Sequence, residues 1–183
     1  MKVEELAKLV VAACEAEGVD HMVTGAFAVG YYGIPRSTKD VDVVLDVGTG
    51  DAAGRVIARL EPEIEFGSQV QFDTLTWGRR HVGRPVSGFP CQVELFELFD
   101  DPFVKEQFRR KKMLHSLQLQ RTTWLPSPED VVVQKLRRGR GKDLDDARDV
   151  LAVQGTETLD MGYIENWCSM SGRPPTTGRC WRE

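Results

Sequence analysis

The spacing of apolar positions changes along the chain. In residues 3–17, Leu6, Leu9, Val10 and Ala13 recur at the three-and-four spacing of one helical face. His21–Thr24 reads as a short strand. Gly25 opens a run of small residues that predicts a helix to Tyr32, stopped near Gly33 and Pro35. Val41–Val47 reads as a strand and Asp51–Leu60 as a helix with Ile57 and Leu60 facing inward. Ile64–Phe66, Val70–Trp77 and Cys91–Phe99 read as further strands, the last alternating apolar with polar residues, and Leu117–Trp124 as one more. After Pro126-Ser127-Pro128-Glu129, helices are expected over Asp130–Arg138, Leu144–Val153 and Asp160–Met170. Strands with a few helices, followed by a helical final third, place the chain in the α+β (mixed α/β) class. Its 183 residues suit one domain over 1–171, with a core at about 20–124, a helical part at about 127–171 and a loose tail at 172–183.

Composition narrows the function. The chain is 41% hydrophobic and 28% charged, as a packed water-soluble domain requires. No apolar run approaches the ~18 residues of a membrane span. Acids run through MKVEELAKLVVAACEAEG, which separates it from a signal peptide, so the cytoplasm is the expected location. Cys14, Cys91, Cys168 and Cys180 are scattered, without a CxxC pair and without neighbouring histidines, which suits reduced thiols and not a zinc site. A net charge of −4 speaks against a coat for nucleic acid. Two local basic clusters remain, Lys105/Arg109/Arg110/Lys111/Lys112 and Lys135/Arg137/Arg138/Arg140/Lys142. They are either solvated surface or, together, one groove for tRNA or another RNA.

The candidate chemistry lies in Arg36-Ser37-Thr38-Lys39-Asp40-Val41-Asp42-Val43-Val44-Leu45. Asp40 and Asp42 are two apart in a strand, so they share a face, with Cα atoms about 6–7 Å apart. Paired acids beside apolar residues repel and lose hydration. Divalent cations relieve that, and two-metal sites use such bridging carboxylates. The alternative is an exposed pair neutralised by Lys39 or Arg36. Gly25, between strand and helix, allows backbone N–H groups and a helix N-terminus to approach a phosphate. Glu94, an acid in an apolar strand, is a candidate third ligand or a base for an attacking hydroxyl. Glu97 points to the other face. Arg36 and Thr38 flank the acid pair, and Arg36 suits a triphosphate charge. Lys135, Lys142, Asp143 and Asp146 form a downstream set, in which Lys142 and Asp146 also suit an i,i+4 surface pair. Gly48-Thr49-Gly50-Asp51-Ala52-Ala53 fits a dinucleotide-binding pattern, but a turn capped by Asp51 explains it more simply.

Gly25-Ala26, thirteen residues and Asp40-Val41-Asp42 resemble the Gly-Ser or Gly-Gly…Asp-x-Asp signature of the nucleotidyltransferase superfamily. More narrowly, TGAFAVGYYGIPRSTKDVDVVLD and SPEDVVVQKLRRGRGKDLDDARDVL look like AbiEii-type toxin nucleotidyltransferases and related bacterial proteins, over residues 20–153. The resemblance implies a mixed sheet flanked by helices, with two Mg²⁺ ions (Mn²⁺ as alternative) on Asp40, Asp42 and Glu94. It implies a triphosphate at Gly25 and Ala26, with Lys135 and Lys142 in the downstream motif. Ala26 stands where Ser or Gly is common, so a hydroxyl is lost there, and Thr24 is the candidate substitute. The implied activity moves a nucleoside monophosphate from an NTP to an acceptor hydroxyl on a small molecule, protein or RNA, releasing pyrophosphate. A catalytically silent nucleotide-sensing module is the alternative, and a partner protein, as in toxin–antitoxin pairs, follows from the resemblance alone.

Overall fold

The computed structural model describes residues 2–48, 50–72 and 78–170. In chain order the elements are α1 (Val3–Ala16), β1 (His21–Val23), α2 (Gly25–Tyr32), β2 (Asp40–Leu45), α3 (Ala52–Leu60), β3 (Ile64–Phe66), β4 (Gln71–Phe72), β5 (Arg79–Pro85), β6 (Gln92–Glu97), α4 (Pro102–Arg110), β7 (Lys112–Ser116), β8 (Arg121–Leu125), α5 (Pro128–Arg138), α6 (Gly141–Gln154) and α7 (Met161–Met170). The main sheet has the order β1-β2-β6-β5-β3, with β4 also pairing β5. β2 runs parallel to β6 and antiparallel to β1, and β5 runs antiparallel to β6, β3 and β4. β7 and β8 form a separate hairpin.

The period-two pattern of β2 sorts its side chains between two faces. Val41, Val43 and Leu45 join Val93 and Leu95 in a core with Leu6 and Val10 of α1 and Val56 and Leu60 of α3. On the other face Val44 and Phe96 pack with Met22 and Phe108. Asp40, Asp42 and Glu94 also fall on this face, ahead of that apolar patch. A second core joins Ala28, Val29 and Tyr32 of α2 to Val131, Val132 and Val133 of α5, Val150 of α6 and Ile164 of α7. The Tyr32 hydroxyl donates to the Pro126 carbonyl at 2.8 Å, tying α2 to the start of the helical part. α2 therefore touches both the sheet and the helices, and the site opens where it begins.

Local chemistry explains the element ends. Asp51 accepts from the Gly54 N–H at 3.1 Å and caps α3, so the second half of the Gly48-Thr49-Gly50-Asp51-Ala52-Ala53 pattern opens a capped helix, while Thr49 lies outside the described residues. Asp101 caps α4 through Val104 N, and Ser127 caps α5 with Pro128 at its first position. Gly139, at φ 64°, ends α5 in the left-handed region and turns the chain into α6.

Three elements escape the apolar pattern. β5 reads RRHVGRP, where charges, Gly83 and Pro85 hide the alternation. α4 buries Phe103, Gln107 and Phe108, and a glutamine in that stripe breaks its apolar signal. β7 is mostly exposed, so its sequence carries little alternation. The strand expected at Leu117–Trp124 is Arg121–Leu125, and Leu117 lies in the hairpin turn, 84% exposed. The strand expected at Val70–Trp77 starts at Gln71 and is described over Gln71–Phe72, and residues 73–77 fall outside the described residues, as does the tail. Cys14, Cys91 and Cys168 are buried free thiols, and Trp167 packs edge-on against Phe103 at 5.4 Å. Among the described residues no helix is long and apolar enough to cross a membrane.

Leu45→Ala, at a fully buried position in the first core, is expected to cost about 2–5 kcal/mol. Leu117→Ala is expected to stay within about 0.5 kcal/mol. Urea unfolding of the two variants checks this assignment of inside and outside.

Candidate functional site

Two adjacent strands present the acids. The β2–β6 register sets Asp40 opposite Gln92, Asp42 opposite Glu94 and Val44 opposite Phe96. Asp42 and Glu94 are thus neighbours on one face. Thr38 shapes the approach to Asp40: its hydroxyl accepts from Asp40 N–H at 3.1 Å and donates to the Asp40 carbonyl at 3.3 Å. Glu94 accepts from Gln92 Nε2 at 2.7 Å and pairs with Arg80 at 3.0 Å. Glu97 follows the strand period onto the other face, where it meets His81 at 2.8 Å and Arg79 at 3.3 Å, but it also reaches the lining of the cleft described below.

Asp42 carries the electrostatic load. Burial pushes its carboxyl up to about 6, and the charges of Glu94 and Asp40 push the same way, against Arg138 and Lys135. Gly25 presses on it from the start of α2. Its φ is +63°, and a Cβ there would sit 1.9 Å from Asp42 Oδ2. The glycine therefore serves close approach to the carboxylate as well as the left-handed turn. Thr24 N–H donates to the Asp42 carbonyl at 2.9 Å. The Thr24 hydroxyl, the candidate substitute for the one absent at Ala26, donates to Gln134 Oε1 of α5 at 3.0 Å. Ala26 itself is nearly buried in the cleft wall.

The opposite wall is basic and built on buried charge. Lys135 is 5% exposed and meets Asp146 at 2.7 Å and Asp143 at 3.3 Å. Arg36 grips both oxygens of Asp146, at 2.6 and 2.9 Å, and Arg140 grips both of Asp143. Burial alone would raise the Asp146 carboxyl, but the bonds from Arg36 and Lys135 hold it below the ordinary range. The surface pair expected between Lys142 and Asp146 is not what forms. Asp146 faces inward, because α6 packs on α5 and α2, and Lys142 stays exposed at the cleft rim. Arg36 is likewise a structural partner of Asp146 as well as a cleft residue.

One cleft joins these groups. Thr24, Gly25, Ala26, Arg36, Thr38, Asp40, Asp42, Glu94, Lys135 and Lys142 all line it, in about 990 Å³ of open space including its mouth. The sequence reading missed Arg80, Gln107 and Gln134, which share the lining. Arg138 and Arg140 were visible only as members of the second basic cluster. The first basic cluster does not join them: Lys105, Arg109, Arg110 and Lys111 pair with Asp100, Glu106, Asp130 and Asp20, and none of the four lines the cleft.

Among the described residues no three His, Cys, Asp or Glu side chains are grouped to hold a metal ion by themselves. Magnesium commonly takes one or two carboxylates and completes its shell with substrate phosphates and water. The hard-oxygen pair Asp40 and Asp42, with Asp42 destabilised by its own neighbours, fits that mode of binding.

No protein-family model matches the chain, and no curated protein matches it. Solved structures do. The crystal structure of ANT(2'')-Ia in complex with adenylyl-2''-tobramycin superposes with a TM-score of 0.66 at 12% identity, covering 94% of this chain and 98% of that one. An antigenic nucleotidyltransferase-like protein from Paracoccidioides brasiliensis gives 0.57 at 18% identity, covering 91% and 87%. The lincosamide antibiotic adenylyltransferase LnuA, lincomycin-bound, gives 0.53 at 13% identity, covering 84% and 98%. At these identities the likeness is one of fold: the chain has the nucleotidyltransferase fold, a mixed sheet flanked by helices.

The load on Asp42 makes a stability prediction. Its folded carboxyl titrates near 6, above the value of 3.8 it starts from, so the folded state keeps a proton that the unfolded state releases. The contribution is full below about pH 4 and is lost as pH rises through about 6. In metal-free buffer at pH 7, Asp42→Asn is therefore expected to unfold at a higher temperature than wild type, by an amount on the order of 1–3 kcal/mol. At pH 4 the difference should close. Equal stability at both pH values would show that Asp42 bears no such load.

Proposed function

We propose that the chain transfers a nucleoside monophosphate from an NTP to an acceptor hydroxyl and releases pyrophosphate. The observation that carries this reading is the placement of Glu94 beside Asp42 and Asp40, on one face, across the cleft from Lys135, Arg140 and Lys142. Acids that hold a cation and bases that hold phosphates face one space. In this reading Asp40 and Asp42 would hold Mg²⁺ or Mn²⁺, which when bound would neutralise the triphosphate and favour the leaving pyrophosphate. Arg36, Arg140 and Lys142 meet the phosphate charge, and Gly25 lets the backbone come close beneath it. Glu94 accepts the proton of the acceptor hydroxyl as its oxygen bonds to the α-phosphorus and the bond from that phosphorus to the bridging oxygen breaks.

The acceptor reading rests on less. ANT(2'')-Ia holds adenylyl-2''-tobramycin and LnuA holds lincomycin, both small molecules. The ion pairing of the first basic cluster also favours a small acceptor over RNA, since an RNA groove needs uncommitted cations. The narrower likeness to AbiEii-type toxins, and with it a partner protein, rests on the two sequence stretches alone. A second reading, nucleotide binding without turnover, is favoured by one contact: Arg80 engages the Glu94 carboxylate that would take the proton.

Thermal unfolding with each of the four NTPs, with and without Mg²⁺, tests the proposal. A ligand at about 100 times its Kd stabilises by ~2.7 kcal/mol, a rise of roughly 5–10 °C for a chain of this length. Wild type should show this rise with Mg²⁺, and the Asp40→Asn/Asp42→Asn protein should not. No rise with any NTP, or an equal rise in the variant, would overturn the assignment. Glu94→Gln separates the two readings: turnover by wild type that this variant loses by ~10²-fold or more marks an enzyme.

A further inference from the structure

The cleft is lined by charge along most of its length, and Arg80 and Glu97 stand beside its apolar residues. Beyond the acids on the same two strands come Val44 and Phe96, and with Phe99 and Val104 they give the cleft an apolar lobe. Two carboxamides line the same cleft, Gln107 from α4 and Gln134 from α5. Gln134 is anchored through its oxygen to Thr24. Gln107 is 1% exposed, and its Nε2 has no hydrogen-bond partner. A buried N–H left unpaired is costly. Packing does not call for it, since Gln107 lies in the buried stripe of α4 beside Phe103 and Phe108, where an apolar side chain would serve. The unpaired donor and the cleft it lines point to a ligand that accepts from it.

We propose that this lobe is the nucleobase subsite and that Gln107 determines base preference, donating through Nε2 to an in-plane nitrogen or carbonyl of the base. The proposal rests on the nucleotide reading of the cleft. An NTP has an anionic tail and a flat, uncharged heterocycle with acceptors in its plane. The cleft offers partners for both parts: cations such as Arg140 and Lys142, and an apolar patch of Val44, Phe96, Phe99 and Val104 with Gln107 on the same lining. Val44 lies one strand repeat, about 6.8 Å, beyond Asp42, a separation that a ribose spans. A sugar-like acceptor, with hydroxyls around its whole rim, would need many more polar partners than two amides. One fixed donor also suits discrimination, because the four bases carry their acceptors at different places and a misplaced acceptor leaves the buried N–H unpaired.

The test is calorimetric titration of wild type, Gln107→Leu and Gln107→Met with the four Mg²⁺–NTPs and with Mg²⁺–tripolyphosphate. Wild type should bind one NTP at least tenfold more tightly than the weakest, and tighter than tripolyphosphate. Gln107→Leu should bring the four NTP affinities within about threefold of each other while tripolyphosphate affinity holds. If Gln107→Leu loses tripolyphosphate binding through misfolding, the straighter Gln107→Met is judged by the same ratios. Unchanged base ratios in the variant that retains tripolyphosphate binding, or equal binding of tripolyphosphate and all NTPs by wild type, would overturn the subsite and leave the nucleotide site standing. Failure of wild type to bind either ligand class would overturn both.

Discussion

The Asp42 side chain is held against two other carboxylates by backbone hydrogen bonds of the sheet, not by bonds of its own. The parallel register of β2 on β6 places Glu94 beside it, and the strand period places Asp40 on its own face. Backbone pairing therefore brings together charges that would separate in solution, and desolvation weighs on Asp42. The rest of the site is arranged around that constraint. Gly25 can lie against Asp42 only because it lacks a Cβ. Arg80 and Gln92 hold Glu94 in place. The fold stabilises the arrangement through the core on the far face, where Val41, Val43 and Leu45 pack with α1 and α3. The proposed cation would act on this same feature, by removing the repulsion that the sheet imposes.

The second charge system works differently. Lys135, Asp143 and Asp146 are almost fully buried, yet each carboxylate has cationic partners, Arg36 and Arg140 included. Burying such charges gains little by itself, but the partners are doubled: without Lys135, Asp143 would keep Arg140 and Asp146 would keep Arg36. The network links α5 and α6 to the loop before β2, and so fixes the basic wall relative to the acids. Arg36 takes part in both, holding Asp146 and lining the cleft.

Much of this was legible in the sequence because it is local. The ends of α2 follow from Gly25, Gly33 and Pro35, and β2 from its alternation of acid and valine. Glu94 stood out as an acid in an apolar strand. What escaped depends on contacts distant in sequence. β5 carries charges that pair across the sheet, as Arg80 does with Glu94, so its pattern is obscured by its function in the structure. α4 is hidden by Gln107, whose burial makes sense only beside Val44 and Phe96. The Asp146 side chain reads as half of a surface pair with Lys142 until Arg36, 110 residues away, is brought to it. In each case a polar residue sits where packing alone would place an apolar one.

The central claim is that Asp40 and Asp42 bind a divalent cation together with the triphosphate. Water-proton relaxation enhancement by Mn²⁺ and a non-hydrolysable NTP analogue tests it directly, because the signal reports Mn²⁺ slowed by the protein. The account predicts a strong enhancement with wild type that requires the nucleotide, and none above the Mn²⁺–nucleotide level with Asp40→Asn/Asp42→Asn. Equal enhancement by the two proteins would place the metal elsewhere and contradict it.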